Sequence, residues 1–142
     1  MKPLRMLLVE DDEDHVFLLR RALRDLPDLD IDLAVCHDGE SALRYLEFRQ
    51  YLGAAEQPHL VVLDLRIPRV SGFDVLRWIR YNPVFAALPV VVLTSSERRE
   101  DADSARGLGA NEVMSKPLAG LQLRTDVQAM AQRWDLALAG RP

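Results

Sequence analysis

The chain has 142 residues, 49% of them hydrophobic and 28% charged, with a net charge of -4. This is the composition of an ordinary globular domain rather than a disordered one, and its acidic balance argues against a nucleic-acid surface, which needs a basic face. No apolar run approaches the ~20 residues that span a bilayer. The start, Met1-Lys2-Pro3-Leu4-Arg5-Met6, lacks a signal peptide's long apolar region and cleavage site, so a cytoplasmic location without membrane partners is expected. Cys36 is the single cysteine, which rules out an internal disulfide; it reads as a small buried hydrophobe.

Leu4 to Val9 reads as a strand closed by the acids from Glu10 onward. Asp14 to Leu26 reads as a helix, with Val16, Leu19, Leu23 and Leu26 on one face, Arg20, Arg21 and Arg24 opposite, and Pro27 as its stop. Ile31 to Cys36 alternates apolar and polar residues, the least buried strand by pattern, and is expected at a sheet edge. After the Asp38-Gly39 turn, Glu40 to about Tyr51 is helical with Ala42, Leu43 and Leu46 inward, and Leu52 to Pro58 is a loop. Leu60 to Asp64 is an apolar run ending in an acid, the pattern of a strand buried on both faces.

Ser71-Gly72-Phe73-Asp74 has capping-box spacing and opens a helix with Val75, Leu76 and Ile79 inward, ending at Asn82-Pro83. Pro89 to Leu93 is a second buried strand, followed by Thr94-Ser95-Ser96. Glu97 to Leu108 is a weakly periodic helix in which only Ala102, Ala105 and Leu108 can face a core. Asn111 to Ser115 is a short fifth strand, followed by Lys116-Pro117. The last helix, Leu118 to about Leu138, is expected to bury Leu123, Val127, Met130 and Trp134. Strands alternating with helices predict a parallel sheet covered on both faces, one α/β domain over residues 1–142.

In such a sheet the strand ends share one edge, where open α/β folds place their ligands. Glu10 and Asp11, Asp64, Thr94 and Lys116 follow four of those ends. Carboxylates gathered there repel unless neutralised. A hard divalent cation solves this, and Mg²⁺ favours one or two carboxylates with phosphate and water. A lysine supplies a compact cation for a phosphoryl oxygen and a hydroxyl a further donor. An aspartate nucleophile forming an acyl phosphate fits this set.

Leu7-Leu8-Val9-Glu10-Asp11-Asp12, Val62-Leu63-Asp64-Leu65-Arg66-Ile67-Pro68 with Ser71-Gly72, Leu93-Thr94-Ser95-Ser96, and Gly109-Ala110-Asn111 through Lys116-Pro117 resemble the receiver domain of two-component response regulators. The resemblance implies a doubly wound, flavodoxin-like sheet of order 2-1-3-4-5. It implies that Asp64 is the phosphoacceptor, that Mg²⁺ is held by Asp11, Asp64, the backbone carbonyl of Arg66 and, through water, Glu10, and that Thr94 and Lys116 contact the phosphoryl group. It further implies a cis bond at Lys116-Pro117, a sensor histidine kinase as phosphodonor, and self-catalysed transfer and hydrolysis rather than turnover of a separate substrate. The long loop before Pro58 and the lack of an output domain are similar to the small receivers paired with bacterial phytochrome-type sensor kinases.

Taken singly, Glu10 to Asp14 would be a solvated helix start favoured by the helix dipole, Asp64 a helix cap, Lys116 a surface lysine and Thr94 a strand residue. The functional reading prevails because the bland one must be invoked at four strand ends together. His15, His37 and His59 lack metal-ligand spacing and read as surface or packing residues, and Trp78 and Trp134 as packing or interface residues. A phosphatase of the haloacid-dehalogenase type would want a second acid two places after the nucleophile, where Arg66 stands. A nucleotide-binding module would want a glycine-rich first turn, and this one is acidic.

The position three before Lys116 is Val113, so an aromatic switch is not available, and the signal is expected to pass through Thr94, Ser95-Ser96 and the adjoining helix. Apolar surplus at Trp134, Leu136 and Leu138 leads to the expectation of a homodimer through the fourth helix, fifth strand and fifth helix. The downstream partner is open.

Overall fold

Residues 2–142 are described by the computed structural model. Strands β1 (Leu4–Val9), β2 (Ile31–Cys36), β3 (Leu60–Leu63), β4 (Val90–Thr94) and β5 (Glu112–Ser115) form one sheet of order β2-β1-β3-β4-β5. All four pairings are parallel. The connections are α1 (Glu13–Arg24), α2 (Gly39–Arg49), α3 (Gly72–Tyr81), α4 (Arg99–Gly107) and, last, α5 (Gly120–Ala137). A single 3-10 turn, Ala54–Glu56, lies in the loop before β3.

The period of two in the strands builds two cores, one on each face. Leu7, Val9, Val61, Leu63, Val90 and Val92 point to α2, α3 and α4, where they meet Leu46, Leu76, Ile79 and Ala105. Met6, Leu8, Leu60, Val62, Val91 and Leu93 point to α1 and α5, where they meet Leu19, Leu23, Leu123, Val127 and Met130. β3 and β4 are buried along their whole length, which is why their sequences are continuous apolar runs rather than alternating ones.

β2 is an edge strand as expected, but it is not the least buried. β5, the other edge, has no fully buried residue, while β2 buries Cys36. Trp134 is only partly buried. Ala131 takes its place in the core, and the indole N–H donates to Glu112 at 3.0 Å.

Helix starts follow from caps. Asp12 accepts from the N–H groups of Asp14 and His15, Asp38 from Ser41, and Ser71 from Asp74. The Ser71 box is half-formed, because the Asp74 carboxylate turns outward to Arg77. α4 differs from these three. It has no side-chain cap and buries only Asp101 and Ala105.

At the sheet edge opposite the acids, His59 is 8% exposed. Its Nδ1 accepts from the Arg5 N–H at 2.9 Å and its Nε2 lies 3.0 Å from the Pro142 carbonyl. That pair of partners requires the neutral imidazole with its proton on Nε2. Arg141 donates to the carbonyls of Lys2 and Pro3 and to Asp135, tying the C-terminal segment beside it.

Candidate functional site

The register sets the site. Val9 pairs with Leu63, Leu63 with Val92, and Thr94 with Ser115, so Glu10 and Asp64 emerge side by side and Thr94 and Lys116 leave the same edge slightly further along their strands. Asp64 donates its N–H to Val9 and Lys116 its N–H to Thr94, which extends the ladder to the edge. Gly72 closes the loop after β3. A Cβ there would lie 2.2 Å from the Asp64 carbonyl oxygen, so only glycine lets α3 start this close to the Asp64 backbone.

Lys116 is the centre of charge. Its ammonium donates to Asp64 Oδ2 at 2.7 Å and to Glu10 Oε1, and all three side chains are nearly fully buried. Burial alone pushes a lysine towards neutrality; here the hydrogen bonds and charges of Asp64 and Glu10 outweigh it and hold Lys116 protonated. Burial also raises Glu10, against the opposing hydrogen bond and charge of Lys116.

Carboxylate oxygens of Glu10, Asp11 and Asp64 lie within 4.8 Å of one another. Three carboxylates facing one ammonium leave a surplus of negative charge, and an all-oxygen donor set suits a hard divalent cation. Both Glu10 oxygens are already engaged, Oε1 by Lys116 and Oε2 by the Asp12 N–H at 3.2 Å. The exposed Asp11 carboxylate makes no hydrogen bond or ion pair among the described residues, so it has its oxygens free for an ion.

Thr94 is buried, and its Oγ1 accepts from the Ser96 N–H at 3.2 Å. The hydroxyl proton has no acceptor among the described residues, which leaves a donor free at the edge. The Thr94 side chain makes no hydrogen bond to Asp64 or Lys116; register alone brings it near them.

Arg66 is placed differently from the other site residues. Its backbone N–H donates to Asp64 Oδ1 at 3.3 Å. Its side chain turns away, crosses Phe73 with the guanidinium 5.5 Å from the ring centroid, and ends on Asp101 of α4 at 2.8 and 2.9 Å. Ser96 Oγ donates to the same carboxylate at 2.6 Å. The hydrogen bonds from Ser96 and Arg66 hold Asp101 below the usual carboxylate range.

Asp101 and His15 were not among the expected site residues, and Ser96 was expected only on the signal path. His15, at the start of α1, has Nδ1 3.4 Å from Lys116 Nζ and 3.7 Å from Glu10. Asp101 carried a readable signal, since it precedes Ala105 by four and so shares its inward face. The cis bond implied at Lys116-Pro117 is not present: no peptide bond among the described residues is cis. Trans is the lower-energy isomer even before proline, by about 0.5–1 kcal/mol.

Comparison with known proteins places the chain in a family. Residues 6–128 match the response regulator receiver domain family. The chain is 36% identical to "Probable methanogenesis regulatory protein FilR2" of Methanothrix harundinacea, over 93% of this chain and 84% of that one. It is 31% identical to response regulator Rcp1 of Synechocystis sp., over 93% and 89%.

Among solved structures, the phosphorylated cyanobacterial phytochrome response regulator RcpA is similar with a TM-score of 0.86 at 29% identity, over 94% of both chains. The Mn²⁺-bound form of Rcp1 is similar with a TM-score of 0.83 at 32% identity, over 93% of this chain and 94% of that one. No helix among the described residues is long and apolar enough to cross a membrane.

Proposed function

This chain belongs to the response regulator receiver domain family, and from that premise we propose that it accepts a phosphoryl group from a sensor histidine kinase onto Asp64 in the presence of Mg²⁺. The observation that carries the reading is Lys116 bonded to both Glu10 and Asp64, with Asp11 open beside them. Asp11 and Asp64 would hold the cation directly and Glu10 through water. The Arg66 carbonyl joins them by family resemblance. The ion would offset negative charge on the carboxylates and on the transferring group.

In the transfer step an Asp64 oxygen attacks phosphorus, the phosphorus–nitrogen bond of the donor phosphohistidine breaks, and the imidazole keeps the electron pair. The Asp64 carboxylate loses its charge as the acyl phosphate forms, so Lys116 follows the charge to a phosphoryl oxygen. The free proton of Thr94 supplies a second donor. Hydrolysis reverses the bond: water attacks phosphorus, Asp64 leaves as carboxylate, and inorganic phosphate is released. The protein's own chemistry is confined to these two steps.

The likeness to RcpA, a phytochrome response regulator, supports a phytochrome-type kinase as the phosphodonor. Output is by contact with another protein in a cytoplasmic setting.

The homodimer through α4, β5 and α5 now rests on less than the sequence promised. Trp134 and Leu138 pack on the core, and of the three apolar residues only Leu136, 78% exposed, remains free. Sedimentation of wild type and Leu136→Glu decides that point; a wild type that stays monomeric with and without a phosphoryl mimic removes the dimer. The function itself is tested by transfer from an autophosphorylated histidine kinase. Label must move to this protein with Mg²⁺ and stay on the kinase with excess chelator; transfer indifferent to chelator refutes the reading.

A further inference from the structure

The loops after β3 and β4 each send one residue, two places past Asp64 and Thr94, to the same acid. Arg66 follows Asp64 and Ser96 follows Thr94, and both end on the Asp101 carboxylate in the first turn of α4. α4 has little else to hold it. It lacks a side-chain cap, and Ala105 is its only other buried residue. A helix with so small an apolar seat depends on its polar contacts and opens at low cost when they are lost.

We propose that Asp101 is a positioning residue that parks the Arg66 guanidinium and fastens α4, and that a phosphoryl group on Asp64 captures Arg66 and so frees α4. The second half rests on the phosphoacceptor reading above.

The reasons are chemical. The Arg66 N–H already touches the Asp64 carboxylate, so the side chain starts beside the group that changes. The acyl phosphate carries roughly two negative charges where the carboxylate carried one, and it adds three strong acceptor oxygens. A guanidinium fork matches phosphate geometry and prefers it to a carboxylate reached by one nitrogen; here a single Nη2 serves both Asp101 oxygens. The departure of Arg66 does not orphan Asp101, because Ser96 continues to donate to it. With Val113 at the position three before Lys116, no aromatic lever competes for this role. Parking also keeps a cation out of the acidic pocket in the resting state, leaving the surplus negative charge for a metal ion.

Amide hydrogen exchange over residues 99–107 tests both halves. In resting protein, Arg66→Ala and Asp101→Asn are each expected to speed exchange there on the order of tenfold, and the double variant no more than either single one. Arg66→Lys, which keeps the charge, retains part of the protection. Unchanged exchange in both single variants overturns the tether, whatever the status of phosphorylation.

Wild type with beryllofluoride and Mg²⁺ is expected to approach the exchange of Arg66→Ala, and Arg66→Ala to change no further. Beryllofluoride that protects residues 64–66 but leaves α4 unchanged overturns capture alone. Beryllofluoride that does not bind the folded protein refutes the phosphoacceptor reading and capture with it, leaving the resting tether to stand on its own result.

Discussion

Asp64 and Lys116 lie 52 positions apart in the chain and 2.7 Å apart in the fold, and Lys116 also holds Glu10, which is 106 positions away. One ammonium thus joins the ends of β1, β3 and β5. It works structurally in the resting protein, and in the proposed transfer it would follow the charge from Asp64 to the phosphoryl group.

Removing that ammonium leaves buried carboxylates without their cation. Lys116→Ala is expected to destabilise the metal-free protein by about 3 kcal/mol. Because a divalent cation replaces the missing charge, added MgCl₂ should recover more stability in Lys116→Ala than in wild type. Urea denaturation with and without MgCl₂ checks this; an equal Mg²⁺ response in both proteins contradicts it.

Gly72→Ala places a Cβ 2.2 Å from the Asp64 carbonyl oxygen and 2.7 Å from the Leu65 Cα. Both are backbone atoms at the end of a central strand and cannot yield cheaply. The loop must move, at about 1–3 kcal/mol, and the carboxylate set moves with it. Thermal melts and Mg²⁺ titration should therefore fall together. Normal Mg²⁺ affinity in a destabilised Gly72→Ala would mean that the glycine shapes the helix start and not the site.

His59 sets a pH dependence. Burial, with Arg5 and Arg141 nearby, holds its pKa below the ordinary 6.5 despite the opposing hydrogen bond to Pro142. The folded state therefore favours the neutral ring. Between the two pKa values the unfolded chain binds the extra proton, so this contribution is complete above about 6.5 and is lost as pH falls from there through the folded pKa. Wild type should lose thermal stability over that window more steeply than His59→Asn, which keeps a donor and an acceptor but cannot titrate. Parallel slopes would place the acid sensitivity elsewhere.

Much of this was legible in the chain because it is written in local pattern. β3 and β4 announce themselves as apolar runs, and the acids, the hydroxyl and the lysine stand immediately after strands, where parallel topology must gather them. What was not legible depends on three-dimensional partners. Asp101 looks like one more acid on a charged helix until Arg66 reaches it. His59 looks like a loop residue until the C-terminal segment folds back over it. Trp134 looks like core, and its indole N–H instead draws it to Glu112 at the edge strand. Arg66 was visible as a cation beside the site, but which way it turns is set by α4, an element its own neighbourhood does not encode.

The division of labour among the acids is also testable. Glu10 has both oxygens committed within the protein and Asp11 has neither. Asp11→Ala should weaken Mg²⁺ binding more than Glu10→Gln in a metal titration. Equal losses would mean that both carboxylates reach the ion in the same way.

The central claim is that Asp64 carries the phosphoryl group. Intact-mass measurement of wild type and Asp64→Asn, after incubation with a small phosphodonor and Mg²⁺, tests it most directly. The substitution is nearly isosteric, so the fold should persist. Wild type should gain the mass of one phosphoryl group and Asp64→Asn none, with no gain for either in excess chelator. A gain that survives Asp64→Asn would contradict the account.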